Sequence, residues 1–139
     1  MVLTAGVGAL IAMQPAVNSG LGRETGSLAA ALVSFCVGTV LLLAVVLVAG
    51  EASGVKASFD AGPVYLLGGV LGAAYVTCAI FTVREIGAGG VAAATIAGQL
   101  SFSIVLDRFG FLGLEQQPIT PARVAGVLLL FAGTWLIIR

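Results

Sequence analysis

"LAAALVSFCVGTVLLLAVVLVA", residues 28–49, runs for 22 residues without a charge, an amide or a proline. At about 1.5 Å per helical residue it reaches roughly 33 Å, enough to cross a bilayer core of about 30 Å. A soluble helix needs a polar face, and this run has none. Only Ser34 and Thr39 interrupt its apolar surface, and helical hydroxyls of that kind often bond back to their own backbone.

The same pattern recurs along the chain. Charge-free windows cover residues 1–22, 25–50, 61–83, 86–106 and 124–138, the last preceded by the compatible TPA of 120–122. Five such windows predict an all-α integral membrane protein with five transmembrane helices, at about 2–17, 28–49, 63–83, 91–106 and 121–138, in one transmembrane domain over 1–139. Composition agrees, since 60% of the 139 residues are hydrophobic and 9% are charged. That is too little charge to cover a soluble domain. Six basic and six acidic residues cancel, so nucleic acid is not an expected partner and the lipid bilayer is.

The boundaries follow from local signals. NSGLGRETGS at 18–27 reads as a turn-rich junction, with Ser27 as N-cap of the second helix. Pro63 suits the first turn of the third, where its missing N–H leaves no bond unmade. REIGAGG at 84–90 reads as a tight hairpin loop, and Thr120 with Pro121 as a cap and first-turn proline for the fifth helix. Segments 50–62 and 107–119 read as long loops. The first window lacks a basic start and a marked small-residue cleavage site, so it is expected to stay as a helix and not to be removed as a signal peptide.

Small residues recur at helical spacing: Gly68 with Gly72, Gly69 with Ala73, and Gly90 with Ala94 and Gly98. In lipid, close approach over small residues supplies the van der Waals contact that helix pairing needs. Gly126 and Gly133 lie seven apart on the last helix, and we expect them at a contact between subunits. Cys36 and Cys78 fall mid-helix and read as packing residues. The chain has no histidine, and no metal cluster, cofactor motif or nucleophile–base pair stands out, so neither a metal, a cofactor nor enzymatic chemistry is expected. GAGG at 87–90 gives no Rossmann or phosphate-loop spacing.

Basic residues are balanced across the membrane. With five crossings, Lys56, Arg108 and Arg123 fall on the N-terminal side, and Arg23, Arg84 and Arg139 on the other. Orientation follows the Lys/Arg excess near helix ends, and a tie gives no instruction. The expectation is insertion both ways round and an antiparallel, dual-topology homodimer, or pairing with a paralogous partner of inverted orientation. Two inverted five-helix units form a ten-helix inverted repeat, the plan on which many secondary transporters achieve alternating access.

QPAVNSGLGRETGSLAAALVSFCVGTVLLL from Gln14 to Leu43, GVAAATIAGQLSFSIVLDRFGFLG, and the closing PARVAGVLLLFAGTWLIIR together resemble the small YdcZ-like membrane proteins of the drug/metabolite transporter superfamily. The ending is also similar to that of small multidrug resistance proteins. The resemblance implies a bacterial inner membrane transporter subunit and a fold equivalent to one half of a ten-helix superfamily member. It also places Gln14 near a glutamate that the four-helix relatives use for protons and cations. An amide cannot be deprotonated, so proton-coupled cation exchange is not carried over.

Candidate site residues are the polar groups inside apolar windows. Gln14 and Asn18 share a helical face, with Pro15 loosening the backbone between them. An unpartnered amide in hydrocarbon costs about 2–7 kcal/mol, so both should face protein or water. Thr95, Gln99 and Ser103 recur at four-residue steps, and Tyr75 shares a face with Cys78 and Thr82. Gln14 and Gln99 lie roughly 4–5 Å from the centres of their windows on opposite sides. In an inverted pair they reach one depth, forming a polar ring with Tyr75 as its wall and Ser34 as a lesser contributor. Such a ring suits a small polar, zwitterionic or weakly charged organic solute. Arg84, Glu85 and Asp107 sit at helix ends, where solvated caps or local ion pairs of Arg84 with Glu85 and Asp107 with Arg108 compete with a gating or coupling role. The competing functional readings are a non-transporting accessory or assembly protein, whose amides only join helices, and a passive channel.

Overall fold

The computed structural model describes residues 2–139, apart from the side chains of Val2 and Leu112. Met1, which opens the first charge-free window, lies outside them. The described residues form helices α1 (Val2–Thr25), α2 (Ser27–Ala49), α3 (Ala52–Asp60), α4 (Pro63–Phe109) and α5 (Pro121–Ile138), with a 3-10 turn at Phe111–Gly113 and no strand. Three of these, α2, α4 and α5, are long and apolar enough to cross a membrane. The chain divides into two compact units, Met1–Arg84 and Glu85–Arg139.

In the first unit α1 and α2 pack as a hairpin around the single residue Gly26, whose φ of 91° turns the chain. The sequence placed a junction at 18–27, but α1 continues past Val17 to Thr25. Turn-forming residues stay helical there because tertiary contacts override weak propensity: Asn18 and Ser19 are buried and bonded, and α1 approaches closely at Gly22. A Cβ on Gly22 would come within 3.3 Å of Ser27 Cα. Ser27 is not the N-cap. That position belongs to Gly26, which has no side chain to cap with, and Ser27 opens the helix itself.

The unit's core is small and made of small residues. Ala30, Ala31, Val76 and Ile80 form it, with Leu21, Phe35 and Tyr75 packed against them. Ala30 and Ala31 let residues 63–84 of α4 lie close to α2. Of the glycines expected at helix contacts, Gly72 faces Phe35, whereas a Cβ at Gly68, Gly69 or Gly98 would meet nothing within 4 Å. Most remaining large apolar side chains face outward, including Leu32, Val37, Val40, Leu41, Leu42 and Val48 on α2. Such a surface in water would be an aggregation hazard, and lipid is the solvent that fits it.

The segment expected as a loop at 50–62 contains α3, which follows a left-handed cap at Gly50. Its polar residues and its glycine hid its short apolar face. The expected seven-residue loop at 84–90 is also absent. α4 is helical on both sides of Gly87, which alone departs from helix with φ 71° and ψ 170°. That backbone region is essentially restricted to glycine. One residue therefore makes the break that the glycine-rich stretch suggested for seven.

In the second unit α5 runs antiparallel to residues 88–109 of α4. The Thr134 hydroxyl donates to the Ala93 carbonyl at 3.2 Å, and Ile138 packs over Gly90. α5 begins as its sequence suggests, with Thr120 accepting from the Arg123 N–H and Pro121 in the first turn.

Candidate functional site

The α1–α2 hairpin holds a groove of about 440 Å³ between Leu10, Met13, Val17, Leu21, Val33 and Val37. Three polar side chains, those of Gln14, Asn18 and Ser34, enter it. A second, smaller hollow of about 190 Å³ shares Gln14 and Ser34 and adds Thr39. Helical spacing on α1 puts Gln14 and Asn18 on one face, and the antiparallel course of α2 brings Ser34 opposite them.

The three are not equivalent. Asn18 is only 6% exposed, and its Nδ2 donates to Ser34 Oγ at 3.2 Å. It pins the hairpin. Gln14 is exposed to the groove, and among the described residues its amide makes no side-chain hydrogen bond. A free donor and a free acceptor in an apolar groove are what an incoming hydrogen-bonding group would meet.

Tyr75 packs against the Ala30–Ile80 core of the same unit, and Thr82 bonds back to the Cys78 carbonyl at 2.8 Å. In the second unit Gln99 and Ser103 line a hollow of about 280 Å³ with Ile96 and Leu100. Thr95 is half-buried nearby on the same helix. Ser103 donates to the Leu100 carbonyl at 2.9 Å, so its proton is already used on its own helix. Each unit thus carries its own short polar stripe.

At the charged helix ends the adjacent ion pairs do not form among the described residues, and Glu85 and Arg108 are exposed. Arg84 does not pair with Glu85. Its Nε donates to Ser19 Oγ at 3.0 Å and its Nη2 to the Ser19 carbonyl at 3.4 Å. Asp107 pairs with Arg123 and not with its neighbour Arg108. The reason is geometric: adjacent helical residues point about 100° apart, whereas partners on a facing helix end can meet head-on. The Asp107 carbonyl also accepts from Gln117 N at 2.9 Å, so the 107–119 connection is tied back to α4. Sequence reasoning missed Ser19 as a partner for Arg84 and Arg123 as a partner for Asp107. Both pairs join residues far apart in the chain, and no local spacing signals them.

Gly126 and Gly133 meet nothing; a Cβ at either would have no neighbour within 4 Å. Their smallness is not used in packing within the described chain. Among the described residues no cluster of His, Cys, Asp and Glu is placed to hold a metal ion, and Cys36 and Cys78 are both free.

No curated protein and no solved structure matches the chain significantly. A family model described as "Putative inner membrane exporter, YdcZ" matches residues 1–136. The outward-facing apolar helices and a match over almost the whole length lead to one assignment: the chain belongs to the YdcZ family of inner membrane proteins.

Proposed function

We propose that the protein is one subunit of an inner membrane exporter, working as an antiparallel, dual-topology homodimer that moves a small polar organic solute by alternating access. A family described in terms of export supports transport in general. The observation that carries the finer reading is the α1–α2 groove, apolar except for Gln14, Asn18 and Ser34 and free of any ionisable side chain. Amides and a hydroxyl in such walls favour a hydrogen-bonding solute without strong fixed charge.

The unit is five transmembrane helices. At about 1.5 Å per residue the 47 residues of α4 would span roughly 70 Å, more than twice the bilayer core. Gly87 divides them into 63–86 and 88–109, each of spanning length, and α1, α2 and α5 supply the others. In the inverted pair, Gln14 of one copy meets the depth of Gln99 of the other, with Tyr75, Thr95 and Ser103 bordering the pathway. Gly126 and Gly133, open in the single chain, lie at the contact between copies. Arg84, Glu85 and Asp107 sit at the mouths of the pathway.

Uptake into liposomes, measured over a panel of neutral and zwitterionic solutes, tests this reading. Gln14→Ala and Gln99→Ala should each lower flux, and unchanged flux in both would refute the site. Tags on both termini should be reachable from each side of the membrane; a single uniform orientation would refute dual topology. One contact favours a second reading for part of the site: the Asn18–Ser34 bond is the helix-joining contact that an accessory protein would also use. Loss of stability without loss of flux in Asn18→Leu would assign Asn18 to that role.

A further inference from the structure

We propose that α3 lies in the headgroup–acyl boundary of the bilayer and anchors the connection between α2 and α4 to the membrane surface. α3 is tied at both ends to helices apolar enough to cross the membrane. Only Gly50 and Glu51 separate it from the end of α2, and only Ala61 and Gly62 from Pro63 at the start of α4. With two-residue tethers at each end, the helix lies where those helices leave the hydrocarbon.

Its side chains match that place. Val55 and Phe59 lie four residues apart and hence on one face with Ala52, and they are 48% and 70% exposed. Every residue of α3 is exposed, so the chain itself does not cover this face. Lys56 borders the apolar face, where its stem can follow the acyl region while the ammonium reaches the headgroups. The Ser58 hydroxyl donates to the Gly54 carbonyl at 2.9 Å, so it needs no water partner. Glu51, Lys56 and Asp60 sum to a net charge of −1. Attraction to anionic headgroups is therefore not the driving term, and insertion of the apolar face is.

The test uses the full chain reconstituted in vesicles of zwitterionic lipid, with Trp135→Phe removing its single tryptophan. Phe59→Trp reports from the apolar face and Ala57→Trp from a direction about 160° away around the helix. Circular dichroism on both confirms that the helices are retained. We expect the tryptophan at 59 to emit further to the blue and to be quenched more by nitroxide at a shallow acyl carbon than at a deep one, and more than the tryptophan at 57. Adding anionic lipid or salt should leave this difference unchanged. Equal quenching at 57 and 59 would overturn the proposal. So would a blue-shifted tryptophan at 59 that lipid nitroxides do not quench, since a second copy of the chain would then be covering the face.

Discussion

Replacing Gly87 with alanine isolates the conformational strain at the break in α4. With φ 71° and ψ 170°, the residue occupies a region where a Cβ costs about 1–3 kcal/mol. Beyond the adjoining backbone, no heavy atom lies within 4 Å of the position a Cβ would take, so overlap with packed neighbours adds nothing and the cost is conformational. The control is Gly98→Ala. Gly98 is helical and its Cβ would also meet nothing within 4 Å, so alanine should be neutral or stabilising by up to about 1 kcal/mol. The two substitutions are chemically identical and should differ in sign. Unfolding in mixed micelles, followed by circular dichroism, measures both. Gly87→Ala should lower the ratio of folded to unfolded protein roughly fivefold for each kcal/mol lost. An alanine at 87 as stable as wild type, and no worse than the alanine at 98, would refute the claim that this backbone is held in a glycine-only conformation.

Other contacts make separate predictions. A double-mutant cycle of Asn18→Leu and Ser34→Ala should give a coupling of about 0.6 kcal/mol, the average for hydrogen bonds between membrane helices, and no more than about 1.7 kcal/mol, measured by the same unfolding assay. Arg123→Ala and Asp107→Asn should each cost no more than about 1 kcal/mol, because the pair remains 34% and 26% exposed; high salt should shrink the difference from wild type. Gly126→Leu with Gly133→Leu should leave the single chain folded, since both sites are open, but shift crosslinked dimer to monomer in membranes. Unchanged crosslinking would remove α5 from the proposed contact between copies.

Much of the fold was legible because lipid imposes a simple rule on sequence. Long charge-free windows must be helical, since a bilayer offers no partner for an open backbone. Residues 28–49 became α2 almost to the residue, and Pro63 and Thr120–Pro121 marked helix starts where chain geometry demands them. The errors fell where glycine and polar residues cluster. NSGLGRETGS looks like a loop until Asn18 finds Ser34 and Ser19 finds Arg84, contacts that repay helical order in an otherwise weak helix former. REIGAGG looked like a seven-residue turn, yet one residue with a left-handed φ made the whole break. The α3 helix was missed because nine residues give too short a window for its apolar face to stand out against its serines and its glycine.

The same division holds for the candidate site. That Gln14, Asn18, Ser34 and Gln99 are unusual follows from the sequence alone, since an amide or hydroxyl in a charge-free window must find a partner or water. Which of them is spent on structure and which is free is decided by tertiary packing. Asn18 is committed because α2 folds back and sets Ser34 3.2 Å away, whereas Gln14, one turn earlier, opens on the groove without a partner among the described residues. Composition and periodicity determine that this chain belongs in a membrane, because transfer free energy is summed residue by residue. The pairing of Arg84 with Ser19 and of Asp107 with Arg123 belongs to tertiary structure, because a hydrogen bond depends on two positions that the chain brings together only when it folds.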